Sequence, residues 1–173
     1  VKHMPGHGRA LADSHKELPT VTADEAELEA DLAPFRALAS APIAMTGHIR
    51  FTAWDAANPA TQSSFVIGEI IRKRIGFDGL LLTDDLDMEA LAGAVPDRAA
   101  RALAAGCDIA LNCWAKMADM IGIARACPIM TEAATGRLTS ALAGTGALTA
   151  DPERHAGLVA KRDNLLALRD AAA

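Results

Sequence analysis

Apolar positions in this chain fall into two patterns that alternate from end to end. Short continuous runs read as strands buried on both faces of a sheet, and stretches with apolar residues three or four apart read as helices. A strand ends at Val1-Lys2-His3, and a loop rich in Gly and His follows. Thr22-Ala23-Asp24-Glu25 carries a capping-box pattern, so a helix is expected there, continuing through Leu28, Leu32, Phe35 and Ala39. Pro42-Ile43-Ala44-Met45-Thr46 is the second strand. Beyond Asn58-Pro59, Ser63 or Ser64 caps a helix with Ile67, Ile70, Ile71 and Ile75 on one face, stopped by Gly76. Gly79-Leu80-Leu81-Leu82-Thr83 is the clearest strand. A helix with Pro96 in its first turn then runs to Gly106, and Cys107-Asp108-Ile109-Ala110-Leu111-Asn112 is the fourth strand. Alanine-rich helices complete the chain, with a loop at 143–146 and a last helix capped by Asp151.

Repeated βα units imply a parallel sheet with helical crossovers, either doubly wound or closed as a barrel. Lys2-His3, His48, Asp84-Asp85 and Asn112 all fall at or just beyond the C-terminal ends of the four strands. A barrel gathers its chemistry from the ends of many strands, whereas a dinucleotide fold needs a Gly-rich fingerprint in its first turn. Gly6-His7-Gly8 lacks the third spaced glycine. The reading is therefore an α/β fold of the (β/α)8 TIM-barrel type. Such a barrel takes about 250 residues and eight strands, and this chain has 173 residues and four. Residues 1–173 are expected to be the C-terminal half of a single barrel domain, its last four βα units, cut at Val1 through the middle of the barrel.

Composition narrows the class. Lys+Arg 17 against Asp+Glu 22 gives a net charge of -5, which argues against a nucleic-acid partner. No apolar run approaches the roughly 18 residues that span a bilayer, and no signal peptide opens the chain. Three cysteines without CxxC spacing do not make a disulfide framework, and Cys107, Cys113 and Cys127 are expected in the core. The balance suggests a soluble, acidic, cytoplasmic protein.

Two stretches carry chemistry. The first runs from Lys2-His3-Met4-Pro5-Gly6-His7-Gly8 to Asp13-Ser14-His15. Its histidines with Asp13 could hold zinc, could be a solvent-exposed turn, or could give an Asp13–His15 pair. In that pair the carboxylate fixes the imidazole tautomer and raises its pKa, leaving one nitrogen for general acid/base work. The second is Thr83-Asp84-Asp85-Leu86-Asp87-Met88-Glu89. An EF-hand fails because Ala90 stands where glycine is required, and no phosphate loop accompanies a Walker-B reading. Asp87 and Glu89 are expected to cap the following helix. Asp84 projects from the strand end, as a nucleophile or a metal ligand. His48 is either a further site residue or a satisfied buried histidine, and Asn112 is a weaker candidate.

Together these motifs resemble bacterial β-N-acetylglucosaminidases of glycoside hydrolase family 3, the NagZ type. The likeness extends through Met45-Thr46-Gly47-His48, Asn58-Pro59-Ala60-Thr61, Gly76-Phe77-Asp78-Gly79, the Asp84-Asp85-Leu86-Asp87-Met88 motif and Ala105-Gly106-Cys107-Asp108, and fades beyond about residue 115. The resemblance implies a TIM barrel with Asp84 as nucleophile and His15 with Asp13 as acid/base dyad on a mobile loop. It implies that Lys2 and His3 bind hydroxyls of the sugar and that His48 lines the site. Two departures stand out. Met4 replaces a Phe usual in the family, and the family's substrate-binding Asp and Arg from earlier strands have no counterpart here.

The implied reaction is retaining hydrolysis without metal or organic cofactor, removing terminal N-acetylglucosamine from muropeptides during peptidoglycan recycling. Three alternatives stay open at this point. They are phosphorolysis, a metal-dependent hydrolase on His3, His7, Asp13 and Asp84, and an inactive half-barrel whose partner is its missing N-terminal half.

Overall fold

The computed structural model describes residues 1–143 and 151–170, in two compact units, Val1–Ala143 and Gly144–Ala173. In chain order the first unit contains β1 (Thr20–Val21), α1 (Glu25–Asp31), α2 (Ala33–Ala37), β2 (Ile43–Met45) and β3 (Arg50–Phe51). A 3-10 turn (Ala60–Gln62), a π-helix (Val66–Ile75), β4 (Leu80–Leu82), α3 (Val95–Ala105), α4 (Met117–Ala126) and α5 (Glu132–Ala143) follow. The second unit holds α6 (Pro152–Asp170), whose start is capped by Asp151 accepting from the Arg154 N–H at 2.9 Å. The loop expected from residue 144 lies outside the described residues.

Four parallel segments form the wall that carries the site. β2 pairs with β4 in the register Ile43↔Leu80, Ala44↔Leu81, Met45↔Leu82. Met4 bridges Thr46 on one side and Leu82 bridges Ile109 on the other. Order in space therefore equals order along the chain. Such an order is what a barrel requires, whereas a doubly wound sheet reverses direction at its switch point. Among the described residues the wall does not close: the segments at Met4 and Ile109 each pair on one side only.

The fourth strand is a correction to expectation. Residues 107–112 keep one bridge instead of a ladder, because side chains replace its backbone partners. The Asp108 carboxylate accepts from the Leu81 N–H at 2.9 Å, and Thr83 Oγ1 accepts from the Leu111 N–H at 2.8 Å. The chain also makes a small ladder that its apolar pattern does not announce. β1 and β3 pair in parallel, Thr20↔Arg50 and Val21↔Phe51, beyond the strand ends.

The helices cover one face. Ile67, Ile70, Ile71 and Ile75 of the π-helix are buried in one cluster with Ala44, Leu81 and Phe77, each side chain contributing roughly 1.5–3 kcal/mol by leaving water. Ser63 caps this helix through its Oγ on the Val66 N–H (3.1 Å), and Gly76 at φ 80° ends it in the left-handed region that glycine adopts freely. The capping box of α1 sits two residues later than its sequence signature. Asp24 takes the Glu27 N–H at 2.9 Å and Glu27 returns to the Asp24 N–H at 3.0 Å. Pro34 then starts α2 as a separate helix.

Asp108 is the polar anchor beneath the wall. Only 5% exposed, its carboxylate meets Arg72 at 2.8 Å and Arg137 at 3.1 Å besides the Leu81 N–H. Asp108→Ala leaves two half-buried guanidinium groups and one strand N–H without their acceptor. The expected loss is about 2–3 kcal/mol, discounted for the exposure of the arginines, read as a lower urea midpoint at unchanged slope.

Candidate active site

Five of the six residues singled out by sequence converge on one cleft at the C-terminal ends of the wall. A cavity of about 300 Å³ is lined by Lys2, His3, Asp13, His15 and Asp84, together with His7 and Ser14. A larger cavity of about 660 Å³ lies between Pro42, Gly79 and α5, but its charged lining, Asp78 and Arg137, is already paired at 2.8 Å. The smaller cleft therefore holds the unspent chemistry.

Two of its groups come from the first wall segment. The Val1 and Met4 backbones are locked to β2 by Met45 N–H to Val1 O (2.9 Å) and Met4 N–H to Met45 O (2.8 Å), which fixes Lys2 and His3 at the rim. The Lys2–His3 and Met4–Pro5 peptide bonds are both cis. His3 Nε2 stands 3.3 Å from Asp84 Oδ2. Partial burial pushes the His3 pKa below its ordinary value despite the opposing pull of Asp84, so His3 is neutral at pH 7.

Residues 5–15 form the loop above the cleft. His7 Nε2 and the buried Ser14 Oγ lie 3.2 Å apart and tie its two arms, and the Glu89 N–H donates to His15 O at 3.2 Å. Within it, His15 Nδ1 lies 2.9 Å from Asp13 Oδ1, which also accepts the His15 backbone N–H at 3.0 Å. Those two bonds hold the Asp13 carboxyl below the usual carboxylate range. A carboxylate acceptor makes Nδ1 the protonated nitrogen and leaves Nε2 free for substrate.

Asp84 follows β4 directly. Its Oδ1 accepts the Asp85 N–H at 2.9 Å, which leaves Oδ2 toward the cleft. The neighbouring acids are structural. Asp85 Oδ1 takes the N–H groups of Asp87 and Cys113 (3.2 and 2.9 Å), and Asp87 Oδ2 takes the Asn112 amide at 2.7 Å and the Trp114 N–H at 2.9 Å. Asp87 and Glu89 do not cap a helix as expected, since the next helix begins only at Val95. Arg98 closes the turn by donating to the Leu86 and Met88 carbonyls at 2.8 and 3.0 Å. Asn112 gives its amide N–H to Asp87.

His48 takes the second of its two readings, a satisfied buried histidine, and not the site-lining place the resemblance implied. It is fully buried behind the cleft and does not line it. Nδ1 is 2.8 Å from Thr61 Oγ1 and Nε2 is 2.9 Å from Asp85 O, so both ring nitrogens are engaged within the protein. Burial pushes its pKa down. Ser14, Thr61 and Arg98 were not marked by sequence, because serines, threonines and arginines carry no distinguishing spacing. The cysteines divide: Cys107 is buried, with its thiol pushed up to about 12 by burial, whereas Cys113 is exposed, contrary to expectation. No group of three His, Cys, Asp or Glu near enough to hold a metal occurs among the described residues, and no helix there is long and apolar enough to cross a membrane.

Comparison with known proteins gives the site a context. The curated β-hexosaminidase of Alkalilimnicola ehrlichii is 47% identical over 117 residues, 65% of this chain and 33% of its own length. That of Tolumonas auensis is 46% identical over 118 residues, 65% and 35% respectively. The chain thus spans about a third of the length of the curated relatives it matches. Among solved structures, the glycoside hydrolase family 3 β-N-acetylglucosaminidase of Paenibacillus sp. str. FPU-7 superposes at a TM-score of 0.75 with 32% identity, covering 87% of this chain and 32% of that one. NagZ from Neisseria gonorrhoeae, solved in complex with N-trifluoroacetyl-D-glucosamine, superposes at 0.70 with 35% identity, covering 81% and 41%. The family model described as glycosyl hydrolase family 3 N terminal domain matches residues 1–140, and the chain belongs to that family.

Proposed function

We propose that residues 1–173 supply four βα units, and the catalytic groups, of a TIM-barrel retaining β-N-acetylglucosaminidase. One observation supports the reading above all others. A strand-end carboxylate, Asp84, and an imidazole oriented by its own carboxylate, His15 on Asp13, line the same 300 Å³ cleft.

Each group then has one task. Protonated His15 gives its Nε2 proton to the glycosidic oxygen while Asp84 Oδ2 attacks the anomeric carbon. The bond from that carbon to the leaving oxygen breaks, and the aglycone departs as an alcohol. Neutral His15 next takes a proton from water, whose oxygen displaces Asp84 from the same carbon. Two inversions return the β configuration. Asp13 stays anionic throughout and stabilises the imidazolium, as its lowered pKa requires. Lys2 and His3 face the same space as donors for sugar hydroxyls. Asp84, His15 and water account for every proton and electron pair, so the reaction needs no cofactor.

The relatives named β-hexosaminidase support β-linked N-acetylglucosamine as the sugar. The motif resemblance extends this to muropeptides in the cytoplasm. The open wall supports completion by further βα units. In the full-length protein that carries this segment, proton NMR of a freshly started hydrolysis of an aryl β-N-acetylglucosaminide is expected to record β-N-acetylglucosamine before the α anomer. An α product first, or a sugar 1-phosphate in phosphate buffer, overturns retaining hydrolysis.

A further inference from the structure

We infer that His48 is a positioning residue for the nucleophile, holding Asp84 in its reactive orientation through the backbone of Asp85. The inference rests on Asp84 being the nucleophile, and it assigns His48 no contact with sugar.

The argument runs along one buried chain of hydrogen bonds. Thr46 Oγ1 and Thr61 Oγ1 are 2.9 Å apart, Thr61 Oγ1 also meets Gly47 O at 3.0 Å, and both threonines are fully buried. Thr61 Oγ1 lies 2.8 Å from His48 Nδ1, and His48 Nε2 lies 2.9 Å from Asp85 O. The Asp85 carbonyl oxygen only accepts, so Nε2 carries the proton, and the single Thr61 hydroxyl proton is shared between His48 Nδ1 and Gly47 O. The tautomer is thereby fixed from the Asp85 side. On the far side the Asp85 N–H donates to Asp84 Oδ1 at 2.9 Å. Residue 85 is pinned at its carbonyl by His48 at 2.9 Å, more closely than by the Met88 N–H at 3.2 Å, and pins Asp84 at its amide.

A buried imidazole whose donor serves only one loop carbonyl, on the residue whose amide holds a reactive carboxylate, is poorly explained as filler. Phenylalanine would fill the same space without the cost of hiding two polar nitrogens. Held at Oδ1, the carboxylate turns Oδ2 toward His3 and the cleft. Freed at Asp85, it would rotate away from the line of attack, and a misplacement on the order of 1 Å costs about 10²-fold in rate.

The two amide replacements separate position from bulk. Gln places an N–H donor where Nε2 stands, and Asn places one only where Nδ1 stands. In the full-length protein, His48→Gln is expected to keep kcat within about threefold. His48→Asn is expected to lose about 30- to 100-fold in kcat, with KM changed less than threefold. The rate at which a fluorinated glycoside labels Asp84 is expected to fall in parallel with kcat. Thr61→Val, which removes the hydroxyl held against His48 Nδ1, is expected to lower kcat with the same constant KM. Equal losses in Gln and Asn variants, a loss confined to KM, or unchanged labelling of Asp84 in His48→Asn each overturn the inference. Absence of any label on wild-type Asp84 overturns instead the nucleophile assignment beneath it.

Discussion

Asp84→Ala is expected to lower kcat/KM on an aryl β-N-acetylglucosaminide by roughly 10⁴-fold, which corresponds to about 5.5 kcal/mol of transition-state stabilisation. The magnitude follows from what the carboxylate does in both steps. In the proposed reaction it forms the bond to the anomeric carbon in the first and leaves it in the second, so no neighbour can substitute for it. Its side chain is 16% exposed, enough to be reached by a sugar and enough that its loss opens little buried space. Alanine forfeits one bond to the Asp85 N–H and the approach to His3, so the melting temperature is expected to shift by only a few degrees. The void also admits a small anion. Added azide is expected to restore turnover and to give the α-glycosyl azide, because it attacks once, from the face Asp84 used. Activity within tenfold of wild type, or β-azide as the product, would remove Asp84 from this role.

The sequence located this cleft because barrel chemistry sits at strand ends, and strand ends are legible from short apolar runs. Lys2, His3, Asp84 and the Asp13–His15 pair could all be found that way or by two-residue spacing. Periodicity cannot say which polar groups are spent on the backbone. Asp85, Asp87 and Asn112 share the strand-end signature of Asp84, yet they tie the turn to the 112–114 segment. His48 carries the same signature and is turned inward, because Thr61, 13 residues away, offers its ring a buried partner. A partner that distant leaves no local trace.

The same limit explains the errors in the fold. Residues 107–112 have strand composition, but Asp108 and Thr83 supply side-chain bonds where a ladder would use backbone. β1 and β3 are two residues each, too short for an alternation to register. In α1 the shift of the cap from Thr22 to Asp24 reflects competition between two acceptable caps, won by Asp24, whose third residue Glu27 returns the bond while Glu25 pairs with Arg74.

His15→Ala is expected to separate substrates by leaving group. The His15 ring is 76% exposed on the loop, with Nδ1 on Asp13 and Nε2 directed to no partner among the described residues, so its loss disturbs chemistry more than fold. A poor leaving group needs a proton as its bond breaks, and kcat/KM is expected to fall by roughly 10³-fold, within the range of general acid/base effects. A dinitrophenolate leaves unaided, so its kcat/KM, which reports the first step, is expected to stay within about tenfold of wild type. Its kcat falls further, because water in the second step has lost its base and the glycosyl-enzyme accumulates. Azide needs no base. It is expected to raise that kcat and to release the β-glycosyl azide, the opposite anomer from the Asp84→Ala product, since here the carboxylate has already inverted the carbon once. Equal losses of kcat/KM across leaving groups would exclude His15 as the acid. An α-azide would exclude the covalent intermediate that both variants are built to expose.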